Sequence, residues 1–174
     1  MRPEVVRPQS AVRSGQSLDA PTAVLARWWA RLSPLPGGKT LFSIFLGRLA
    51  PYTGSIGARV VELRPGYARW ELHDRRRIRN HLNSIHAVAL ANLAEVASGT
   101  AMLMTIPPGV RAIVIGLSIE YLKKARGRLV AECRCEVAPV TAQREELVES
   151  IVRDDAGDVV ARATVRWRLA PAAT

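Results

Sequence analysis

The sequence predicts an α+β fold in which an antiparallel β-sheet wraps around one long buried helix. Residues Val88 to Met104 are apolar on nearly every side, and a helix of that kind is buried when it belongs to a soluble protein. On either side of it the apolar residues recur with period two, the signature of strands with one wet face. Arg64-Pro65-Gly66 and Pro107-Pro108-Gly109 fall between these runs and mark turns there.

Met1 to Ala20 is rich in Arg, Pro, Ser and Gln and has no apolar core; it is expected to be a disordered leader, 1–20, ahead of a single domain spanning 21–170. Val24, Leu25, Trp28, Trp29 and Leu32 recur at three- and four-residue spacing, which predicts a helix over Pro21–Ser33. Pro34, Pro36, Gly37 and Gly38 break it. A second helix is expected from about Lys39 to Leu49, stopping at Ala50-Pro51. The Trp28, Trp29, Phe42 and Phe45 rings of these helices either cover an apolar cavity or simply pack on the domain. Ile56–Leu63 and Tyr67–His73 then form a hairpin across Arg64-Pro65-Gly66. The buried helix is placed at about Ser84–Met104, and Pro107-Pro108-Gly109 ends that region. Four strands follow: Arg111–Leu122, Arg128–Val137, Glu145–Arg153 and Val159–Leu169, the last two joined by the hairpin turn Asp154-Asp155-Ala156-Gly157-Asp158.

The chain of 174 residues carries a formal net charge of +10, which favours anionic partners such as CoA phosphates, nucleotides or nucleic acid without choosing among them. The charge is nearly all arginine, with lysine at Lys39, Lys123 and Lys124. Cys133 and Cys135 share one face of a strand and are poorly placed to bridge each other. With no companion ligands at zinc spacing, no metal is expected, and a reduced, cytoplasmic protein is. No apolar run reaches the length of a membrane span.

Glu95 is the residue that points to chemistry. A carboxylate inside a buried helix needs a partner or a task, and burial raises its pKa, which strengthens it as a base where enough stays ionised. The polar loop ahead of the helix puts Asn80, Ser84 and His86 near the helix N-terminus, where free N–H groups and the helix dipole attract developing negative charge. His81 and His86 lack the spacing and the third partner of a metal site.

The run Asn80-His81-Leu82-Asn83-Ser84-Ile85-His86-Ala87-Val88, with Glu95 nine residues after His86, resembles the motif of hotdog-fold thioesterases of the phenylacetyl-CoA type. In that motif an Asn is followed three residues on by Gly, then by His-Gly-Gly and an acidic residue. The chain also resembles an allied hotdog family of unassigned function from about Trp28 onward, through Pro51-Tyr52-Thr53-Gly54, Glu62-Leu63-Arg64-Pro65-Gly66 and Tyr121-Leu122-Lys123-Lys124-Ala125-Arg126-Gly127.

The resemblance implies an acyl-CoA thioesterase, with CoA entering as part of the substrate and no separate cofactor. It gives Glu95 the role of nucleophile or general base. Asn80 would orient the attacking water or hold the carboxylate, unless it only caps the loop. The Ala87 N–H would polarise the thioester carbonyl, while His86 fixes the loop rather than acting as base. The resemblance also implies a homodimer or homotetramer with the site at the subunit interface. Arg77, Arg79, Asn83, Lys123, Lys124 and Arg126 would contact substrate or the CoA phosphates, to which Arg forks are suited. The chain departs from the motif at Asn83, Ala87 and Val88, where the enzymes carry Gly. That departure favours the alternative of an acyl-CoA- or lipid-binding protein that does not hydrolyse its ligand. A nucleic-acid-associated protein using the Arg clusters is the third reading, without a zinc-finger or RNA-recognition motif to support it.

Overall fold

The computed structural model describes residues 21–172, so the expected leader lies outside the described residues. Helices α1 (Pro21–Leu32), α2 (Gly38–Leu49) and α3 (Pro51–Ser55) precede the hairpin β1 (Arg59–Arg64) and β2 (Tyr67–His73). A 3₁₀ turn at Arg76–Ile78 leads to α4 (Ala87–Leu103), followed by β3 (Val110–Tyr121), β4 (Arg128–Arg134), β5 (Arg144–Asp154) and β6 (Val159–Pro171). The strands form one antiparallel sheet in the order β1-β2-β4-β5-β6-β3. It curves around α4, which packs against every strand.

The period-two faces supply the core. Trp70, Ala131, Val152 and Ala161 pair in one row across β2, β4, β5 and β6, large beside small, and all four are buried. Such alternation lets the helix seat against the sheet without voids. Two hydroxyls of the helical segment tie it to the hairpin: Trp70 Nε1 donates to Thr100 Oγ1 at 2.9 Å, and the Gly66 N–H donates to Thr105 Oγ1 at 2.8 Å. Leu90, Leu93 and Met102 are buried in this core. Leu93→Ala is expected to cost about 2–5 kcal/mol, read as a lower urea midpoint with an unchanged m-value.

Three boundaries differ from the sequence reading by three residues, the others by two or fewer. Pro51 stops α2 but also starts α3, because Pro suits the first helical position; Ile56–Ala58 therefore close a helical turn, and β1 begins at Arg59. The central helix begins at Ala87 rather than Ser84, since Asn80–Ser84 is consumed by a hydrogen-bonded turn. β4 ends at Arg134 rather than Val137.

Candidate active site

The loop before α4 is built by its own polar side chains. Asn80 Oδ1 accepts from the Leu82 N–H at 2.9 Å, the Ser84 N–H at 3.3 Å and Ser84 Oγ at 3.2 Å. The same turn is closed by the Asn80 N–H donating to Ser84 O at 2.8 Å. Asn80 thus acts as a loop cap in this chain. Asn83 adopts φ +54°, the left-handed region that Gly enters freely and Asn tolerates better than most residues. Asn at the motif's first Gly position is therefore a conformational equivalent. Its Oδ1 accepts from Arg79 at 3.0 Å, and its backbone oxygen accepts from Arg126 Nε at 3.2 Å.

His86 is the N-cap of α4: Nδ1 accepts from the Val88 N–H at 3.1 Å. That bond satisfies one of the orphan donors of the first turn and ties the His86 ring to the start of the helix. The Val88 side chain points to solvent, while its N–H is occupied. The Ala87 N–H has no hydrogen-bond partner among the described residues. It remains the one donor of this turn free to meet a carbonyl oxygen. Tyr121, at the end of β3, donates its hydroxyl to Ala87 O at 3.1 Å and so pins the turn from the other side. Nothing in the sequence signals that contact, because it joins residues 34 apart.

Glu95 lies two turns further along α4, on the less buried stripe with Ala91 and Gly99. It has no hydrogen bond or ion pair from its carboxylate among the described residues. Burial alone pushes its pKa above the ordinary carboxylate value. Gly99 leaves the space beside it open: a Cβ there would stand 3.9 Å from Glu95 Oε1 and 3.6 Å from the Trp167 ring. Gly99 thus borders both the carboxylate and the Trp167 ring, and the partial burial of Glu95 favours its protonated form.

Eight residues separate Ala87 from Glu95, a rise of about 12 Å along the helix. The two groups therefore lie at different levels of the helix.

The basic candidates divide into paired and unpaired groups. Arg79 is held by Asp74 at 2.7 Å, and Lys123 by Asp154 and Asp158, both at 2.6 Å. Arg79 holds the Asp74 carboxyl, and Lys123 the Asp154 carboxyl, below the usual carboxylate range. Ile85 donates its N–H to Ala125 O at 2.8 Å, which brings the Lys123–Arg126 loop against the Asn83 loop. Lys124 and Arg126 are exposed at its edge, and Arg77 reaches a small cavity of about 260 Å³ beside His86 and Val88.

Among the described residues no cluster of His, Cys, Asp or Glu is arranged to hold a metal ion. Cys133 and Cys135 are free and buried, and burial pushes the Cys133 thiol up to about 12. No described helix is long and apolar enough to cross a membrane.

The sequence profile of a domain of unknown function, DUF4442, matches residues 38–169. The chain belongs to the DUF4442 family. A crystal structure from a genomics programme is 33% identical, covering 86% of this chain and 99% of its own, with a TM-score of 0.75. A Pseudomonas aeruginosa protein of unknown function, described as a "probable thioesterase", is 23% identical, with coverages of 79% and 97% and a TM-score of 0.68. A thioesterase from Haemophilus influenzae is 11% identical over 72% of this chain and 88% of its own, at a TM-score of 0.62. No curated protein matches. The fold of this DUF4442 chain is the hotdog fold, as the resemblance implied. The DUF4442 match begins at α2, so α1 stands outside it.

Proposed function

We propose that the protein is an acyl-CoA thioesterase that works as a homodimer, with each active site shared between two subunits. The observation that carries the reading is the pairing of an unpartnered, half-buried Glu95 carboxylate with a free N–H at the start of the same helix, about 12 Å apart along its axis. The thioesterase names of the Pseudomonas and Haemophilus structures support it.

A two-fold axis near Ala91 would run the two copies of α4 antiparallel, setting Glu95 of the partner subunit opposite the Ala87 N–H. The sheet edge favours such an arrangement. β3 runs for 12 residues with β6 on one side only, and it exposes Ile113 at 62% and Leu117 at 42%. A long apolar edge of this kind invites pairing with another strand. Ile113→Lys with Leu117→Lys is expected to yield monomers in sedimentation velocity and to lower hydrolysis with the loss of the dimer. A folded, fully active monomer would contradict the shared site.

In the reaction, Glu95 acts as general base. It takes a proton from water while the water oxygen attacks the thioester carbonyl carbon. The Ala87 N–H and the positive end of α4 stabilise the resulting oxyanion. Collapse breaks the C–S bond; the CoA thiolate leaves and is protonated, and the acyl group departs as a carboxylic acid. The semi-exposed stripe of α4, with the Trp167 ring beside it, gives the acyl chain an apolar bed. The setting proposed is the reduced cytosol, where CoA thioesters and free cysteines coexist.

The direct test is release of CoA from a panel of short-chain, long-chain and aromatic acyl-CoAs. Release by the wild-type protein that Glu95→Gln abolishes supports the reading. Tight binding of acyl-CoA with no release across the panel would favour a binding protein, which the single free donor at the helix start also suits.

A further inference from the structure

A second cavity of about 380 Å³ lies behind the helix start, between α2, α3, β1 and the segment before the 3₁₀ turn. Three arginines line it, Arg59, Arg75 and Arg77, and no carboxylate does. None of the three forms an ion pair among the described residues, whereas Arg79, Lys123 and Arg128 close by in sequence or space are each neutralised. Arg75 is held in place: one terminal nitrogen donates to Ile56 O at 2.8 Å and Gly57 O at 2.7 Å, while its buried Nε has no partner. Arg59 is oriented by donating to Thr40 Oγ1 at 2.5 Å.

Gly57 is what lets the guanidiniums converge. It sits at φ +61°, and a Cβ there would collide with Arg75 and stand 2.8 Å from an Arg77 nitrogen. Desolvation, and then the charge of Arg77, pull the Arg75 pKa down. Like charges brought together without a counter-charge raise the free energy of the empty site, and a bound dianion relieves that repulsion. Arg77 also walls the 260 Å³ cavity that reaches His86 and Val88. The two cavities are thus neighbours across one side chain, the inner at the helix start and the outer at the arginines.

We infer that Arg59, Arg75 and Arg77 form a binding site for a phosphate or diphosphate group, occupied by the phosphorylated end of the thioester's carrier while its thiol end reaches the Ala87 turn. The identity of the carrier as CoA rests on the thioesterase reading above; the phosphate site itself does not. It is built in part by α2 and α3, so the N-terminal helices have a binding role beyond covering the sheet.

The test is calorimetric titration of the full chain with CoA, pantetheine and inorganic pyrophosphate, for the wild type, Arg59→Gln and Arg77→Gln. These two side chains are exposed, and neither substitution touches the backbone bonds of Arg75. Arg162→Gln, on the outer face of β6, controls for the loss of a charge. Each site substitution is expected to weaken CoA about tenfold, the loss of a charge-assisted contact, and to flatten the salt dependence, with pantetheine unaffected and Arg162→Gln silent. Pyrophosphate should compete with CoA. CoA binding indifferent to both substitutions overturns the site and leaves the hydrolytic reading standing. Arginine-dependent CoA binding without hydrolysis keeps the site and removes the thioesterase. Arginine-dependent binding of pyrophosphate with no binding of CoA keeps the phosphate site and overturns the carrier assignment.

Discussion

Glu95→Gln is expected to lower the rate of acyl-CoA hydrolysis by about 10²–10⁴-fold, the range for loss of a positioned general base, with KM little changed. Gln keeps the shape and removes the charge, so the helix and its stripe persist. The pH profile carries the same assignment. Burial raises the Glu95 pKa, and the base form is the ionised one, so kcat/KM should rise with pH through that raised value rather than through the ordinary carboxylate range. Stability runs the other way. A carboxyl whose folded pKa lies above its unfolded value binds more protons when folded, so its contribution is complete below the unfolded pKa and is lost as pH rises through the folded one. Glu95→Gln should therefore be more stable than wild type above that window and no more stable below it. A variant that retains full activity, or an unchanged pH profile, would remove Glu95 from the mechanism.

Ala87→Pro is expected to lower kcat by about 10²–10³-fold, the effect of deleting one oxyanion donor, while the fold survives. Ala87 is the first residue of α4, where Pro is tolerated and its missing N–H breaks no helical bond. His86 before it already has φ −65° and ψ 141°, the extended conformation that precedes proline without strain. The substitution thus removes the free N–H and little else, whereas Ala87→Gly, which keeps the N–H, should retain activity. Unfolding midpoints for both variants close to wild type, with activity lost only in Ala87→Pro, would separate the donor from the packing.

The fold was legible because its two periods are clean. Alternation in Leu129–Cys133 and Ala161–Trp167 gives the buried face of the sheet, and the apolar run around Leu93 can only be covered by such a sheet. What escaped were features set by contacts distant in sequence. No local pattern separates α3 from a strand after Pro51, and none places the Tyr121 hydroxyl on Ala87 O. Asn80, His86 and Glu95 stood out in the sequence, yet the structure divides their bonding: Asn80 Oδ1 and His86 Nδ1 shape the loop, and the Glu95 carboxylate keeps no partner among the described residues. Net charge pointed to an anion but not to its place. The Asp partners that silence Arg79 and Lys123, and the Gly57 gap that gathers Arg75 and Arg77, are visible only in three dimensions.

The shared active site is tested most directly by mixing the two inactive variants. Glu95→Gln and Ala87→Pro proteins are combined in equal amounts, allowed to exchange subunits, and assayed for CoA release. If the Ala87 N–H of one subunit works with Glu95 of the partner subunit, each mixed dimer holds one site with both defects and one fully intact. Activity should then return to about a quarter of wild type, since random exchange makes half of the dimers mixed. No recovery, with subunit exchange verified, would mean that every site carries one of the two defects, and the shared site would be wrong.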